Sequence, residues 1–512
     1  MLFLRKIATR LGATIFLLLL QIAGFTTAFI LVSGRYPIIA YIGIFVSIAV
    51  LSFIIKTDKD SSYKITWIII ILAVPTFGGI VYGFFGNKRP IKKIAAHVKE
   101  HALIAKLLDS DGNLPFMEKI KNSRMVSLIS YVRNVSSYHA YQKTAATYYP
   151  MGEVMFEDML AEMESAKKFI FLEYYIIHPS LMWEQMLEVM RRKAGEGVEV
   201  RIIVDGLGSQ RLFSRSYIRK LEALNIKVLR FNPMVPFLML FMNNRDHRKI
   251  LVVDGETAFT GGMNIADEYI NLKKKFGLWK DTGIKIRGDA VWSFTLMFIE
   301  MWDTFSVESL RITDHLSYKA ETPEDLESDG YVLPFGDSPL DHEQLSENIL
   351  IDLLNQAEKY VYIFTPYLII SEKMTYALQL AAKRGVDVRI VTPGIPDKKP
   401  IYRLTRSYYR HLIKAGVRIF EFTPGFLHAK SFVCDDEIAI VGTINLDYRS
   451  LYLHFECAAL FYQSGIVEEI KADTLKTIGQ SREVEMHTYT NRRRRVKDEV
   501  MDSLLHLFAP LL

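Results

Sequence analysis

Two stretches of the chain carry the same chemically active residue types at the same spacing. The first is HRKILVVDGETAFTGGMN, residues 247–264, and the second is HAKSFVCDDEIAIVGTIN, residues 428–445. Both read His, any residue, Lys, four residues, Asp, six residues, Gly, two residues, Asn. Two complete copies in one chain are hard to obtain by chance, so we take the shared residues as candidates for catalysis.

An apolar run with β-branched residues follows the Lys of each copy and predicts a buried strand. Alternate side chains of a strand share a face, so His247 and Lys249 point the same way, and so do His428 and Lys430. The ammonium repels a metal cation but can hold a phosphate oxygen while the imidazole attacks phosphorus or transfers a proton. We therefore predict phosphoryl chemistry without a metal or any other cofactor. A single copy could equally be a core His beside a solvated Lys, and the second copy argues against that reading.

The remaining motif residues are predicted to support the site. Asp254 and Asp435 lie five residues past their lysines, beyond the strand, so we expect them to brace the site by hydrogen bonding rather than touch phosphorus. The glycines of the following turn permit close approach of the backbone. Asn264 and Asn445 could donate to a phosphate oxygen or brace the loop.

The two stretches resemble the duplicated HxKxxxxD motif of the phospholipase D superfamily. More narrowly, the whole chain resembles the bacterial cardiolipin synthase family, from its apolar start to its Pro-Leu-Leu ending. The resemblance implies an α/β fold of two tandem α-β-α domains, related by a pseudo-twofold axis that brings both motifs together. It places the motif regions at 241–268 and 422–449.

The resemblance also implies roles for individual residues. His247 would be the nucleophile that forms a phosphohistidine-linked intermediate, and His428 would be the acid and base. Two later carboxylates, Asp281 in WKDTGIKIRG and Glu456 in YLHFECAALF, resemble those that hydrogen-bond the catalytic histidines. Such a carboxylate fixes the imidazole tautomer and supports its cationic form.

The activity that the resemblance implies is transfer of a phosphatidyl group from one phosphatidylglycerol to another, which gives cardiolipin and glycerol. A phospholipase D-type hydrolase and another phosphatidyltransferase of the superfamily stay open as alternatives, since the acceptor decides the reaction. A nuclease and a scaffold without activity are weaker readings, because the first has no use for membrane segments and the second none for two complete motifs.

Composition agrees with a membrane-associated protein that has an anionic partner. Half of the 512 residues are hydrophobic and the net charge is +6. We expect phosphatidylglycerol and anionic membrane lipids as partners and no nucleic acid, and the sequence predicts no particular oligomeric state. The two cysteines, Cys434 and Cys457, lie in apolar runs and read as buried hydrophobic residues rather than a disulfide framework.

Three apolar segments, 11–33, 37–55 and 65–85, fill the first ninety residues. Each is close to the roughly 20 residues that a transmembrane helix needs. We expect residues 1–90 to form a membrane region with two to three transmembrane helices, and the protein to be a multi-pass protein of the bacterial cell membrane. Flanking Lys and Arg nearly balance and do not fix the orientation.

The rest of the chain divides into a connector and two repeated halves. The connector is expected at 91–145, near the membrane surface, the first phospholipase D-like domain at 146–320 and the second at 321–512. AKKFIFLEYYI is answered by AEKYVYIFTPYLI, and EGVEVRIIVDG by RGVDVRIVTPG. Strands that alternate with helices predict parallel sheet packing.

Two further segments could contact lipid. Thirteen residues, MVPFLMLFMNNRD at 234–246, precede the first motif, where the second half has only three. They read either as a core-filling loop or as an apolar lip that dips into the bilayer. Four consecutive arginines at 492–495 read either as a solvated helix start or as a site for anionic lipid.

Overall fold

We describe the protein from a computed structural model. The structure describes residues 34–57, 61–75, 78–86, 122–233, 244–306, 316–327, 330–341 and 343–486, with a few short pieces between and beyond these ranges. The apolar insertion before the first motif and the arginine run near the end therefore lie outside the described residues, apart from residues 244–246.

The helices and strands occur in two similar series after a set of N-terminal helices. The helices are α1 (Pro37–Lys56), α2 (Ser61–Ala73), α3 (Gly78–Phe85), α4 (Ser123–Val135), α5 (Gly152–Ser165), α6 (Leu181–Gly195), α7 (Arg215–Glu222), α8 (Val291–Phe305), α9 (Leu345–Gln356), α10 (Glu372–Lys383), α11 (Lys399–Lys414), α12 (Tyr448–Tyr452) and α13 (Ile466–Gly479). The strands of the first half are β1 (Thr144–Tyr149), β2 (Phe169–Tyr174), β3 (Glu199–Asp205), β4 (Ile226–Phe231), β5 (Arg245–Asp246), β6 (Lys249–Val253), β7 (Thr257–Gly261), β8 (Leu278–Lys280) and β9 (Gly283–Gly288). Those of the second half are β10 (Tyr331–Asp337), β11 (Tyr360–Phe364), β12 (Leu368–Ile369), β13 (Asp387–Pro393), β14 (Arg418–Phe422), β15 (Gly425–Leu427), β16 (Ser431–Cys434), β17 (Ile438–Gly442), β18 (Leu446–Asp447), β19 (His454–Tyr462) and β20 (Ser481–Glu483).

The N-terminal helices agree only in part with the predicted membrane segments. The segment 37–55 coincides with α1, which is the one described helix long and apolar enough to cross a membrane. The segment 65–85 is not one helix, because α2 and α3 are separated at Pro75, which has no N–H to donate and clashes with the preceding turn. The described residues thus do not support several spans, and the segment 11–33 lies almost wholly outside them.

The N-terminal helices pack against the second half of the chain. Trp67 of α2 and Tyr82 of α3 meet edge to face, with ring centroids 5.2 Å apart. The same apolar cluster includes Ile54 of α1 and Tyr448 of α12. Since α12 follows the second motif directly, the apolar helices lie beside that end of the molecule.

Each half is built on one sheet, and the strand orders of the two sheets correspond. The first has the order β1-β9-β7-β6-β2-β3-β4, and the second has β10-β19-β17-β16-β11-β13-β14, extended by β20. The expectation of two tandem α/β domains of similar construction is therefore confirmed.

The sheets are mixed rather than parallel throughout, which corrects the packing expected from the sequence. Strands β2, β3 and β4 are parallel, but β6, β7 and β9 are antiparallel to their neighbours. The physical reason is the short turn between β6 and β7, which is too short for a helical crossover and folds back as a hairpin. The motif strand therefore ends in a tight turn next to β2.

The core shows how closely the halves are joined. One apolar cluster combines Phe171 and Val252 of the first sheet with Val441 and Phe461 of the second, together with side chains of α8 and α13. Two short parallel strand pairs also cross between the halves, β15 with β8 and β5 with β19. These pairs lie next to the two motifs.

Helix α4 belongs to this packed part of the molecule. Its side chains Met125, Leu128 and Val132 are buried in the apolar cluster of the second half, with Leu353 and Val361. Helix α4 thus lies within the span 91–145 expected as a connector and packs against the second half.

Candidate active site

The strand geometry presents the His and Lys of each motif together. His247 precedes β6 and Lys249 begins it, while His428 and Lys430 stand just before β16. All four side chains are buried. The Nζ of Lys249 donates to the carbonyl of His247 at 2.6 Å, and the Nζ of Lys430 donates to the carbonyl of His428. These hydrogen bonds hold each Lys against its own His.

The two carboxylates are exchanged between the halves. The Nδ1 of His247 lies 2.9 Å from both carboxylate oxygens of Glu456, which belongs to the second half. The Nδ1 of His428 lies 2.7 Å from the Oδ2 of Asp281, which belongs to the first. Both carboxylates are fully buried, at 0% exposure. A carboxylate that accepts from Nδ1–H leaves the lone pair of the neutral imidazole on Nε2, where it could attack phosphorus or take a proton.

The crossed strand pairs produce this exchange. The N–H of His247 donates to the carbonyl of Phe455 at 2.9 Å, beside Glu456. The N–H of His428 donates to the carbonyl of Lys280 at 2.7 Å, beside Asp281. Each half therefore carries one His and the carboxylate that orients the His of the other half.

The electrostatics of the two motifs are linked. Burial, followed by the charges of Lys249, Lys430 and His428, holds the pKa of His247 well below its usual range. Burial and the charge of Lys430 lower the pKa of His428 to about 4, although Asp281 acts in the opposite direction. Charges of one half thus act on the His of the other.

The pKa values of the two lysines also lie near neutral pH. Burial lowers the pKa of Lys249 to about 8 and that of Lys430 to about 7, and the charge of Lys249 contributes to the lower value. Burial disfavours the charged form of an ammonium, and a second ammonium adds to the effect. A bound phosphate anion would reverse this, because it would favour the cations.

The motif aspartates lie at the other end of the strands. Asp254 accepts from the N–H groups of Lys167, Lys168 and Phe169, at 2.7–2.8 Å. Asp435 accepts in the same way from the three residues that lead into β11, also at 2.7–2.8 Å. Both have positive φ, 55° and 54°, a conformation that Asp tolerates better than most residues. They hold the start of the neighbouring strand and lie away from the imidazoles.

The motif asparagines differ between the halves. Asn264 accepts from the N–H of Ile176 at 3.1 Å and donates to the hydroxyl of Tyr269 at 2.9 Å, so its amide braces the loop. Asn445 is equally buried, but its Oδ1 has no hydrogen-bond partner among the described residues.

The residue after the motif glycine also differs. Gly262 packs against the carboxylate of Asp281 and the carbonyl of His428, where a Cβ would overlap the carboxylate. Its counterpart Thr443 instead donates its hydroxyl to Glu456. The first position needs a glycine because two chain segments meet there.

Sequence reasoning missed His454, which lies two residues before Glu456 on β19. Its ring centroid is 5.4 Å from that of His247. Its Nδ1 lies 3.6 Å from the Oε1 of Glu456, and its Nε2 accepts from Arg449 at 3.2 Å. The spacing His-Phe-Glu, which puts His454 and Glu456 on one face of a strand, was the signal that could have identified it.

Aromatic residues that the motifs do not include surround the second imidazole. Tyr269, Trp279 and Phe426 have ring centroids 5.4, 5.6 and 5.9 Å from that of His428. The surroundings of His247 are more polar, with Tyr175 at 5.0 Å and His454. The two imidazoles are thus equivalent in their motifs but not in their environments.

Comparison with known proteins gives consistent matches over the same regions. Residues 159–282 and 350–477 match the family profile described as cardiolipin synthase, PLD-like domain. Residues 45–87 match the one described as phospholipase D-nuclease N-terminal.

Relatives cover almost the whole chain. An uncharacterized protein of Streptococcus mutans is 43% identical over 90% of this chain and 99% of its own. A cardiolipin synthase of Geobacillus sp. strain WCH70 is 31% identical over 91% of this chain and 92% of its own. The crystal structure of phosphatidylserine synthase from Haemophilus influenzae Rd KW20 covers 73% of this chain and 95% of its own, with a TM-score of 0.54 and 17% identity, and shows the likeness of fold alone.

Proposed function

We propose, from the premise that the chain belongs to the cardiolipin synthase family with phospholipase D-like domains, that it transfers a phosphatidyl group from one phosphatidylglycerol to another. The products would be cardiolipin and glycerol. The observation that carries the proposal is the pair of buried imidazoles, each oriented by a carboxylate of the opposite half. One imidazole of such a pair can act as the nucleophile and the other as the acid on one phosphodiester.

In the first step, the Nε2 of His247 would attack phosphorus while the bond from phosphorus to the headgroup oxygen breaks. His428 is neutral in the empty site, and the bound phosphate anion would raise its pKa so that it takes up a proton and gives it to the departing glycerol. In the second step, neutral His428 would take the proton from a hydroxyl of the second phosphatidylglycerol, whose oxygen displaces His247 from phosphorus. The proton is returned to His428, so the cycle balances, and the difficult displacement is split in two.

The surrounding residues would stabilise charge during both steps. Lys249 and Lys430 are held next to the imidazoles and can bind the phosphate oxygens in a buried site, where such interactions are strong. Glu456 and Asp281 would stabilise the cationic forms of His247 and His428. We propose that Asp254 and Asp435 act only by holding β2 and β11, and Asn264 and Asn445 by shaping the loops after the motifs.

The membrane setting would favour a lipid acceptor over water. We propose that α1 anchors the protein in the cell membrane, where phosphatidylglycerol is concentrated relative to soluble alcohols. We also propose that the protein crosses the membrane more than once and that its two domains span 146–320 and 321–512.

The test is turnover of labelled phosphatidylglycerol by the purified full-length protein in vesicles. We expect cardiolipin and glycerol in equal amounts, and a loss of about 10²–10⁴-fold or more when His428 is replaced by Ala. His411→Ala on the exposed face of α11 is the matched control. Phosphatidic acid as the main product would instead identify a hydrolase, and undiminished turnover by His428→Ala would contradict the assignment of the acid.

A further inference from the structure

Two loops, one from each half of the chain, meet beside the active site. Residues 271–278 run into β8, and residues 394–399 run into α11. A Cβ added at Gly277 would lie 3.2 Å from the Cδ1 of Ile395, so the loops are in contact. We call the segments 271–278 and 394–399 the paired loops.

The paired loops combine exposed aliphatic side chains with exposed ammonium groups. Leu272, Leu278 and Ile395 are 63%, 39% and 38% exposed. The first loop reads NLKKKFGL, with three lysines and no acidic residue. Lys273 and Lys274 are exposed and form no ion pair with a described residue. An apolar patch of this kind beside unpaired positive charge is complementary to an anionic lipid surface.

The first loop is connected to the second imidazole by a row of aromatic rings. Phe276 is half-buried, and its ring centroid lies 6.4 Å from that of Trp279 and 6.0 Å from that of Phe426. The ring of Trp279 in turn lies 5.6 Å from that of His428. Apolar side chains thus continue from the exposed loop to the imidazole.

The second loop reaches the first imidazole. Lys398 is exposed, and its Nζ lies 5.7 Å from the ring centroid of Tyr367, whose hydroxyl donates to Asp397 at 2.7 Å. Burial is the main cause of the low pKa of His247, and Lys398 is among the charges that lower this pKa further. The paired loops therefore flank both imidazoles.

The N-terminal helices are joined to the second loop through the end of the chain. Thr66 of α2, a helix that shares an apolar cluster with α1, donates its hydroxyl to the carbonyl of Leu507 at 2.6 Å. The Nε2 of the preceding residue, His506, lies 2.7 Å from the hydroxyl of Ser407 on α11. Ser407 is about 12 Å along the helix axis from Lys399, where α11 begins. This short path favours a position of the paired loops close to the bilayer that holds α1.

We propose that the paired loops dock on an anionic bilayer surface and admit phosphatidylglycerol to the active site between them, which rests on the proposed function. Lys273 and Lys274 bind lipid phosphates, while Leu272 and Leu278 enter the boundary between headgroups and acyl chains. A nucleic acid fits this surface less well, because single strands are held by exposed aromatic rings on which bases stack. The side chains that face outward here are aliphatic, and the ring of Phe276 packs against other rings.

The test places a thiol-reactive fluorescent dye on the first loop of the full-length protein. Cys434 and Cys457 are buried, so the dye attaches to the new thiol of Leu272→Cys. The matched control is Leu224→Cys, which is 39% exposed and precedes β4 at the end of the parallel strands that lies away from the motif histidines. The vesicles contain equal parts of phosphatidylcholine and phosphatidylserine, an anionic lipid other than the proposed substrate, and a lipid that carries a doxyl quencher. We expect the dye at Leu272 to be quenched and the dye at Leu224 to stay bright.

Substitution of Lys273 and Lys274 by Gln in the labelled Leu272→Cys protein tests the role of charge. Each lysine near an anionic surface shifts the docking equilibrium about fivefold, so the ratio of quenched to unquenched dye should fall about 25-fold when both are removed. Lys167→Gln with Lys168→Gln, two exposed neighbours before β2, is the matched control and should leave the ratio unchanged.

Quenching does not depend on turnover, so failure of this proposal can be distinguished from failure of the proposed function. If phosphatidylglycerol is not turned over but the expected quenching pattern is found, the docking surface stands and the reaction was misassigned. Equal quenching at Leu272 and Leu224, no quenching at Leu272, or equal quenching in both lysine variants would overturn the docking surface. A dye that responds to single-stranded RNA but not to vesicles would overturn it as well and identify a nucleic-acid surface. Should Leu272→Cys not fold, Ile395→Cys on the second loop gives the same comparison.

Discussion

At the scale of single residues, the exchange of carboxylates gives the sharpest prediction. Glu456→Gln keeps an oxygen that can accept from the Nδ1 of His247 but removes the negative charge that supports the imidazolium. We expect kcat to fall by about 10²–10⁴-fold, with a smaller change in KM. Steady-state turnover of phosphatidylglycerol measures this.

Glu437→Gln is the matched control, because that carboxylate is exposed in the turn between β16 and β17. Equal activity of both variants would show that Glu456 does not act on His247 during the reaction.

The lysines predict the direction of the pH dependence. Lys430 has a pKa of about 7 and Lys249 of about 8 in the free protein, so each is charged below that value and neutral above it. Because the ammonium groups are proposed to bind the phosphate, kcat/KM should fall as the pH rises through 7 and on through 8. Rates at subsaturating phosphatidylglycerol report the free enzyme.

Lys430→Arg tests the cause of this fall. A guanidinium stays charged at any pH at which the protein is folded, so the variant, although slower, should lose the part of the decline near pH 7. A wild-type profile that is flat or rising from about pH 6 to about pH 9 would contradict the proposed role of the ammonium groups.

At the scale of elements, the motif aspartates are braces between strands. Asp254→Ala removes the acceptor of three N–H groups at the start of β2, which are then left without partners. We expect the free energy of unfolding to fall by about 1–3 kcal/mol, while kcat per folded molecule changes little. Thermal or denaturant unfolding, with activity corrected for the folded fraction, makes the comparison.

Glu256→Ala, exposed in the same turn, should leave stability unchanged. A large loss of kcat in Asp254→Ala with normal stability would mean that Asp254 takes part in the chemistry itself.

At the scale of the whole molecule, α1 is proposed to hold the protein in the bilayer. Phe45 and Ile48 lie near its middle and are 73% and 57% exposed, so they face outward. A Lys at the centre of a membrane helix costs about 2.5–3.5 kcal/mol. We expect the wild type to stay in the membrane pellet after alkaline washing and a Phe45→Lys, Ile48→Lys variant to be extracted.

Thr57→Lys is the control, because a Lys just beyond the helix end can reach the polar interface. Release of the wild type by the same wash would show that α1 does not span the membrane.

The pairing of the halves is the second property of the whole molecule. Strands β5 and β15 each join the other half next to a motif His, so neither half alone contains a complete His–carboxylate pair. The site is therefore a product of the interface between the halves.

The sequence by itself determined the residue types, their spacing and the repeat. His247, Lys249, His428 and Lys430 could be identified because a strand places alternate side chains on one face, which is a local property. The repeated strand patterns likewise predicted two α/β domains, and the family match confirms them. The apolar helix α1 could be predicted because composition and length suffice for it.

Only the tertiary structure decided which carboxylate serves which imidazole. Asp281 follows the first motif and Glu456 the second, but each orients the His of the opposite half, because the crossed strands bring segments together that lie more than a hundred residues apart. For the same reason His454 became visible as a neighbour of His247 only in three dimensions. Spacing along a strand fixes which side chains share a face, whereas the contacts across an interface depend on how the two sheets meet.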